Sequence, residues 1–139
     1  MRKLVYIFCV LVIGMLLFSC TGCDILMDGY VAVGRLVLHV QSHPVTTPEC
    51  YVCSGAHETE NYTYYRMVDY DEFINASGEF NSAFDINPIN VGFWNFTIYA
   101  LNDFVSSLDE ITADKIIDEK SVRVKILKDQ PLSQGINFN

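Results

Sequence analysis

Gly92-Phe93-Trp94-Asn95-Phe96-Thr97-Ile98-Tyr99-Ala100-Leu101 is the stretch that decides the fold. Trp94, Phe96, Ile98 and Ala100 occupy every second position, and Phe93, Asn95, Thr97 and Tyr99 occupy the alternate ones. Successive side chains of a strand point to opposite faces, so this period of two predicts a strand with one face in a core. Gly34 to Gln41 alternates in the same way, with Leu36, Leu38 and Val40 opposed to Arg35, Val37 and His39. So does Ser121 to Leu127, with Val122, Val124 and Ile126 against Arg123 and Lys125. Tyr62 to Val68 is rich in β-formers and predicts a further strand. A short strand is expected near Glu79 to Phe84, between the turn signals Asn75-Ala76-Ser77-Gly78 and Asn87-Pro88. Leu108 to Ile117 reads as a helical turn or a loose strand, and Ile136 and Phe138 as a last strand that the chain barely completes. Ser42 to Asn61, with Pro44, Pro48, Ser54 and Gly55, reads as a loop. Short strands separated by polar turns predict an all-β fold, a small antiparallel β-sandwich.

The N-terminus has a different composition. Arg2 and Lys3 precede an apolar run from Leu4 to Phe18, too short for a comfortable membrane span and built like a secretory signal helix. Residues 20–29 read as a tether and residues 30–139 as one domain, large enough for a real core but not for two. Loss of Arg2 and Lys3 with the signal leaves 17 acids against seven basic residues, a net charge near −10. That balance argues against nucleic acid and against an anionic membrane face as partners, and in favour of a solvated surface.

Two resemblances sharpen these expectations. Leu17-Phe18-Ser19-Cys20 resembles a bacterial lipobox, although Phe18 is bulkier than the usual residue there. The resemblance implies that residues 1–19 are a lipoprotein signal peptide and that Cys20 becomes the lipidated, palmitate-bearing first residue. Several acyl chains make such anchoring stable. Cys23 is the poorer alternative, because Cys20 would then fill the Leu position. The plain reading beside it is a cleaved signal with an incidental Cys. The second resemblance lies in Asn90-Val91-Gly92-Phe93-Trp94-Asn95-Phe96-Thr97-Ile98, which is similar to the immunoglobulin-like pattern Asp-x-Gly-x-Tyr-x-Cys-x-Ala. Trp94 stands at the aromatic corner, and Phe96 replaces the core Cys. With Tyr64-Tyr65-Arg66 before it and Val122-Arg123-Val124 after it, the chain resembles the Ig-like or fibronectin-III-like modules of bacterial surface lipoproteins. It lacks their Cys pair across the sheets, and the domain reads as either minimal or incomplete at its C-terminus. The implied protein is a non-catalytic binding or structural module, lipid-anchored to the cell envelope and facing outside the cytoplasm.

The residues with ligand chemistry are few. Cys50 and Cys53, flanked by His43 and His57, offer two thiolates and two imidazoles, a donor set that suits tetrahedral zinc. A metal-handling lipoprotein is therefore the rival reading. A local Cys50–Cys53 disulfide is the other expectation, contributing about 2 kcal/mol for so small a ring. Ser54 stands where haem attachment would need His, and no helix context supports thioredoxin-type chemistry. Asp69, Asp71 and Glu72 offer oxygen ligands for calcium without an EF-hand pattern. Asn61, Asn75 and Asn95 lie in Asn-x-Ser/Thr sequons, which would carry N-glycans in a secreted glycoprotein, a third reading. No catalytic constellation is visible, so no enzyme activity and no cofactor are expected. Tyr51, Tyr62, Tyr64, Tyr65, Tyr70, Phe93 and Tyr99 exceed what one sheet face needs. Either both faces of the Gly92 strand are covered, or some of these rings form a platform for a glycan or protein partner.

Overall fold

A computed structural model describes residues 32–74, 80 and 82–138, and the compact unit begins at Ala32. The signal peptide, Cys20, Cys23, the tether and the sequon at Asn75 lie outside the described residues. Seven strands follow one another: β1 (Val33–Ser42), β2 (Cys50–His57), β3 (Thr63–Asp69), β4 (Ser82–Asn90), β5 (Gly92–Leu101), β6 (Ile116–Ile126) and β7 (Pro131–Asn137). They form a three-stranded sheet in the order β4-β1-β7 and a four-stranded sheet in the order β3-β2-β5-β6. Short 3-10 turns at Tyr70–Phe73 and Leu108–Glu110 are the only helical elements among the described residues.

The two sheets share one apolar core. Leu36, Leu38, Val40, Phe84, Ile86 and Ile136 from the first sheet meet Tyr51, Cys53, Trp94, Phe96, Ile98, Val124 and Ile126 from the second. The alternation in β1, β5 and the second half of β6 therefore points inward as the sequence predicts. Trp94 is 3% exposed and lies in the core, whereas its neighbour Phe93 is 37% exposed on the outer face.

Three local expectations are corrected. Residues 50–57 are not loop but β2, paired with both β3 and β5 and holding the centre of the larger sheet. Its Gly55 looks like turn chemistry in the sequence, yet the Phe96 ring lies across it, so that an added Cβ would overlap the ring. Pro88 lies inside β4 and not in a turn. β4 is an edge strand, where a missing N–H removes no ladder bond. Lastly, the sandwich is not wholly antiparallel, because β7 runs parallel to β1. β6 ends at the same end of the sandwich where β1 begins, and residues 127–130, with Asp129 at φ 54°, carry the chain across to the other sheet there. β7 then has only one direction in which to run.

The 102–115 connection between β5 and β6 also had no clear signature. It folds back as a strap over the outer face of the larger sheet, where Val105 and Ile111 cover Cys50, Val52, Met67, Tyr99, Leu101 and Ile116 in a second apolar cluster. The Tyr65 hydroxyl donates to the Val105 carbonyl at 3.3 Å and the Cys50 thiol to the Asp103 carbonyl at 3.4 Å, pinning the strap to β3 and β2.

Candidate functional site

The four residues of the zinc expectation do not converge. Residues three apart on a strand face opposite ways, so Cys53 enters the core between the sheets while Cys50 lies under the strap. Both thiols are free and buried. An i,i+3 pair in extended chain spans about 10 Å between Cα atoms, beyond the ~7 Å limit for a disulfide, which overturns the expected Cys50–Cys53 bond. Burial pushes the Cys50 thiol up to about 11 and the Cys53 thiol up to about 12. Neither is poised as a thiolate ligand or nucleophile.

The imidazoles are also committed elsewhere. His57 Nδ1 accepts from the backbone N–H of Glu60 at 3.0 Å and of Thr59 at 3.3 Å, so the proton resides on Nε2, which donates to the Val91 carbonyl at 3.0 Å. Both nitrogens are thus turned to backbone. His43 Nδ1 donates to the Pro44 carbonyl at 2.7 Å, and its ring packs edge-on against Tyr70 and Phe80. Asp69 ends β3 while Asp71 and Glu72 sit on the following 3-10 turn, and no group of three or more His, Cys, Asp or Glu among the described residues could hold a metal ion. Of the other two sequons, Asn61 is exposed beside β3, and Asn95 lies on the outer face of β5 with its amide donating to Glu58 at 3.2 Å.

The aromatic surplus resolves ring by ring. Tyr51 is fully buried against Phe73, Phe80 and Phe138, and its hydroxyl has no hydrogen-bond partner among the described residues. Burial accordingly drives the Tyr51 phenol far above the usual tyrosine range. Tyr70 stacks on Phe80. Tyr99 is covered by the strap and Phe93 lies beneath the Arg123 guanidinium, 4.0 Å from its ring centroid. Arg123 is itself held in two hydrogen bonds by Glu58, whose carboxyl they keep below the usual range.

Tyr62 and Tyr64 do something else. Together with Thr63, Ile86, Pro88, Ile89, Asn90 and Trp94 they line a cleft of about 170 Å³ between the free edges of β3 and β4. Tyr62 is 39% exposed. Tyr64 packs edge-on against Phe96, and Trp94 forms the floor, stacked on Phe96 with its indole N–H donating to the Asn90 carbonyl at 2.9 Å. His57 braces Tyr62 and Trp94 edge-on from behind, at ring separations of 5.9 and 5.3 Å. The rings are thereby fixed by packing before any ligand arrives. No lining residue is charged, and the cleft mixes ring faces with the Thr63 hydroxyl and Asn90 amide. A neutral amphipathic ligand fits that chemistry. The sequence named Tyr62 and Tyr64 as surplus rings, but Pro88 read as a turn and Asn90 as the start of the Ig-like pattern, and nothing local placed them or Ile89, which come from the other sheet, beside the two tyrosines.

Fold and cleft define an all-β sandwich with an aromatic-lined cleft at one edge. Comparison of the chain with protein-family models, with curated proteins and with solved structures found no match.

Proposed function

We propose that this chain is a lipid-anchored, non-catalytic binding module of a bacterial cell envelope, of the Ig-like or fibronectin-III-like type, whose β3–β4 cleft takes one neutral sugar ring of a glycan. The cleft is the observation that carries it. The apolar C–H face of a pyranose matches the faces of Tyr62 and Tyr64, and its hydroxyls match Thr63 and Asn90. At about 170 Å³ the site falls below the roughly 300–1,000 Å³ of pockets for drug-sized ligands, which favours a single ring. The module type is supported by the strand order, which sets the Gly92-Phe93-Trp94-Asn95-Phe96 strand inside the larger sheet beside the Val122-Arg123-Val124 strand. The anchor is supported by the signal-like residues 1–19 and Cys20.

The test is titration of the full-length protein with a panel of neutral oligosaccharides, read by Trp94 emission. A saturable change that Tyr62→Ala abolishes without altering the melting temperature supports the cleft; no response across the panel refutes it. Palmitate labelling tests the anchor, since Cys20→Ser should remove the label, and a label that survives points to Cys23.

A further inference from the structure

Charge is unevenly divided along the long axis of the sandwich. Each strand of the central pair is ten residues at most, so the two ends lie roughly 30 Å apart. The end where the described chain begins, here the base, is built from Val33, His57 to Thr63, Asn90 to Phe93 and the 127–130 turn. It carries Arg35, Arg123, Lys125 and Lys128, against Glu58, Glu60 and Asp129. Glu58 is taken by Arg123, and Arg35 is taken by Asp85 one step up the sheet. Lys125 and Lys128 are exposed and have no carboxylate within ion-pair distance among the described residues. Lys125 leans on the Phe93 ring, 5.4 Å from its centroid, and Leu127 between the two lysines is 43% exposed. The opposite end gathers Glu49, Asp69, Asp71, Glu72, Asp103, Asp109, Glu110 and Asp114, with Lys115 as the nearby cation.

We infer that the domain rests on an anionic lipid surface by the β6–β7 corner of its base, with Lys125, Leu127 and Lys128 at the headgroups, the acidic end held away and the β3–β4 cleft on the opposite edges of the two sheets. This rests on the lipid anchor proposed above. Residues 20–31 reach at most about 40 Å, longer than the domain itself, so a tether of that length does not by its own geometry choose an orientation. The charge division does. A negative surface potential attracts the free lysines and repels the acidic end, while Leu127 and the lysine stems suit the apolar boundary below the headgroups. The net charge that argues against an anionic membrane partner is concentrated at the end that would face away from it.

The experiment inserts the full-length lipidated protein into preformed vesicles of phosphatidylcholine, with or without phosphatidylglycerol. Flotation reports anchoring, and amine acylation read by mass spectrometry reports the accessibility of each lysine. Phosphatidylglycerol should lower labelling of Lys125 and Lys128 about fivefold, the factor equivalent to about 1 kcal/mol for one cation at an anionic surface. Labelling of Lys115 should stay unchanged, and high salt should restore the base lysines. Flotation with equal labelling at both ends, in both lipids, overturns the orientation and leaves the anchor standing. Failure to float overturns the anchor and the orientation with it.

Discussion

Replacing Trp94 with Ala removes the largest ring at the seam between the sheets. The indole is 3% exposed, stacks on Phe96 at 5.6 Å and meets His57 edge-on at 5.3 Å. Trp→Ala in a core costs about 3–5 kcal/mol through lost burial and the cavity left behind. Loss of the N–H donated to the Asn90 carbonyl adds about 1 kcal/mol. A total near 4–6 kcal/mol is most of the stability of a marginal domain, for which about 5–15 kcal/mol is usual. The assay is urea unfolding followed by far-UV circular dichroism, since the variant lacks the protein's only Trp. With a slope of about 1–1.5 kcal/mol per molar urea, the midpoint should fall by at least about 3 M or the variant should be unfolded without denaturant. Phe93→Ala, one residue away on the opposite face, should lose no more than about 1.5 kcal/mol, since that ring is 37% exposed and its main contact is with Arg123. A loss below about 1.5 kcal/mol for Trp94→Ala, or a red-shifted Trp94 emission readily quenched by iodide in the wild type, would refute the packing on which this rests.

Other substitutions probe different parts of the same core. Gly55→Ala drives a methyl into the Phe96 ring and should destabilise by about 1–3 kcal/mol, measurable as a lowered urea midpoint; an unchanged midpoint would show that β2 and β5 are not in this register. Tyr51→Phe deletes a buried hydroxyl that has no partner among the described residues and keeps the ring, so stability should hold or rise by about 1 kcal/mol, and a loss above that would mean the hydroxyl is satisfied in solution. Because burial raises both thiols above their ordinary value near 9.0, to about 11 for Cys50 and about 12 for Cys53, the unfolded chain loses these protons first as pH rises. Their contribution is therefore whole below pH 9 and declines through pH 9–11 for Cys50 and pH 9–12 for Cys53, and a Cys53→Ala variant should show a shallower fall in melting temperature over the latter window than the wild type. In the native state at neutral pH neither thiol should react with a thiol-specific reagent at the rate seen in denaturant.

How much of this was legible in the chain follows from how local each signal is. Alternation at Gly92–Leu101, Gly34–Gln41 and Ser121–Leu127 is written in neighbouring residues, because the strand's period of two is a property of the extended backbone. From it the all-β class, the inward face of each of those strands and the burial of Trp94 could be read directly. The 50–57 segment could not, because β2 is buried on both faces. Cys50 and Val52 fill the cluster under the strap while Tyr51 and Cys53 fill the main core, so alternation vanishes and Ser54 and Gly55 look like a loop. The same double burial separates the two cysteines, whose spacing alone resembles a metal or disulfide pair.

What only the tertiary structure decided is which distant segments meet. Tyr62 and Tyr64 become a cleft because β4, from the other sheet, brings Pro88 and Asn90 beside them. Residues 102–115 become a strap because the outer face of β2, β3 and β5 is apolar enough to hold them. β7 runs parallel to β1 because the tight reversal at 127–130 starts it at the same end of the sandwich where β1 begins. Composition gives the net charge, but its division between a base with free lysines and an acidic far end depends on strand direction. Local sequence specifies the pleat of each strand; pairing across long loops is set by the free energy of the whole packed core, which no window of the chain contains.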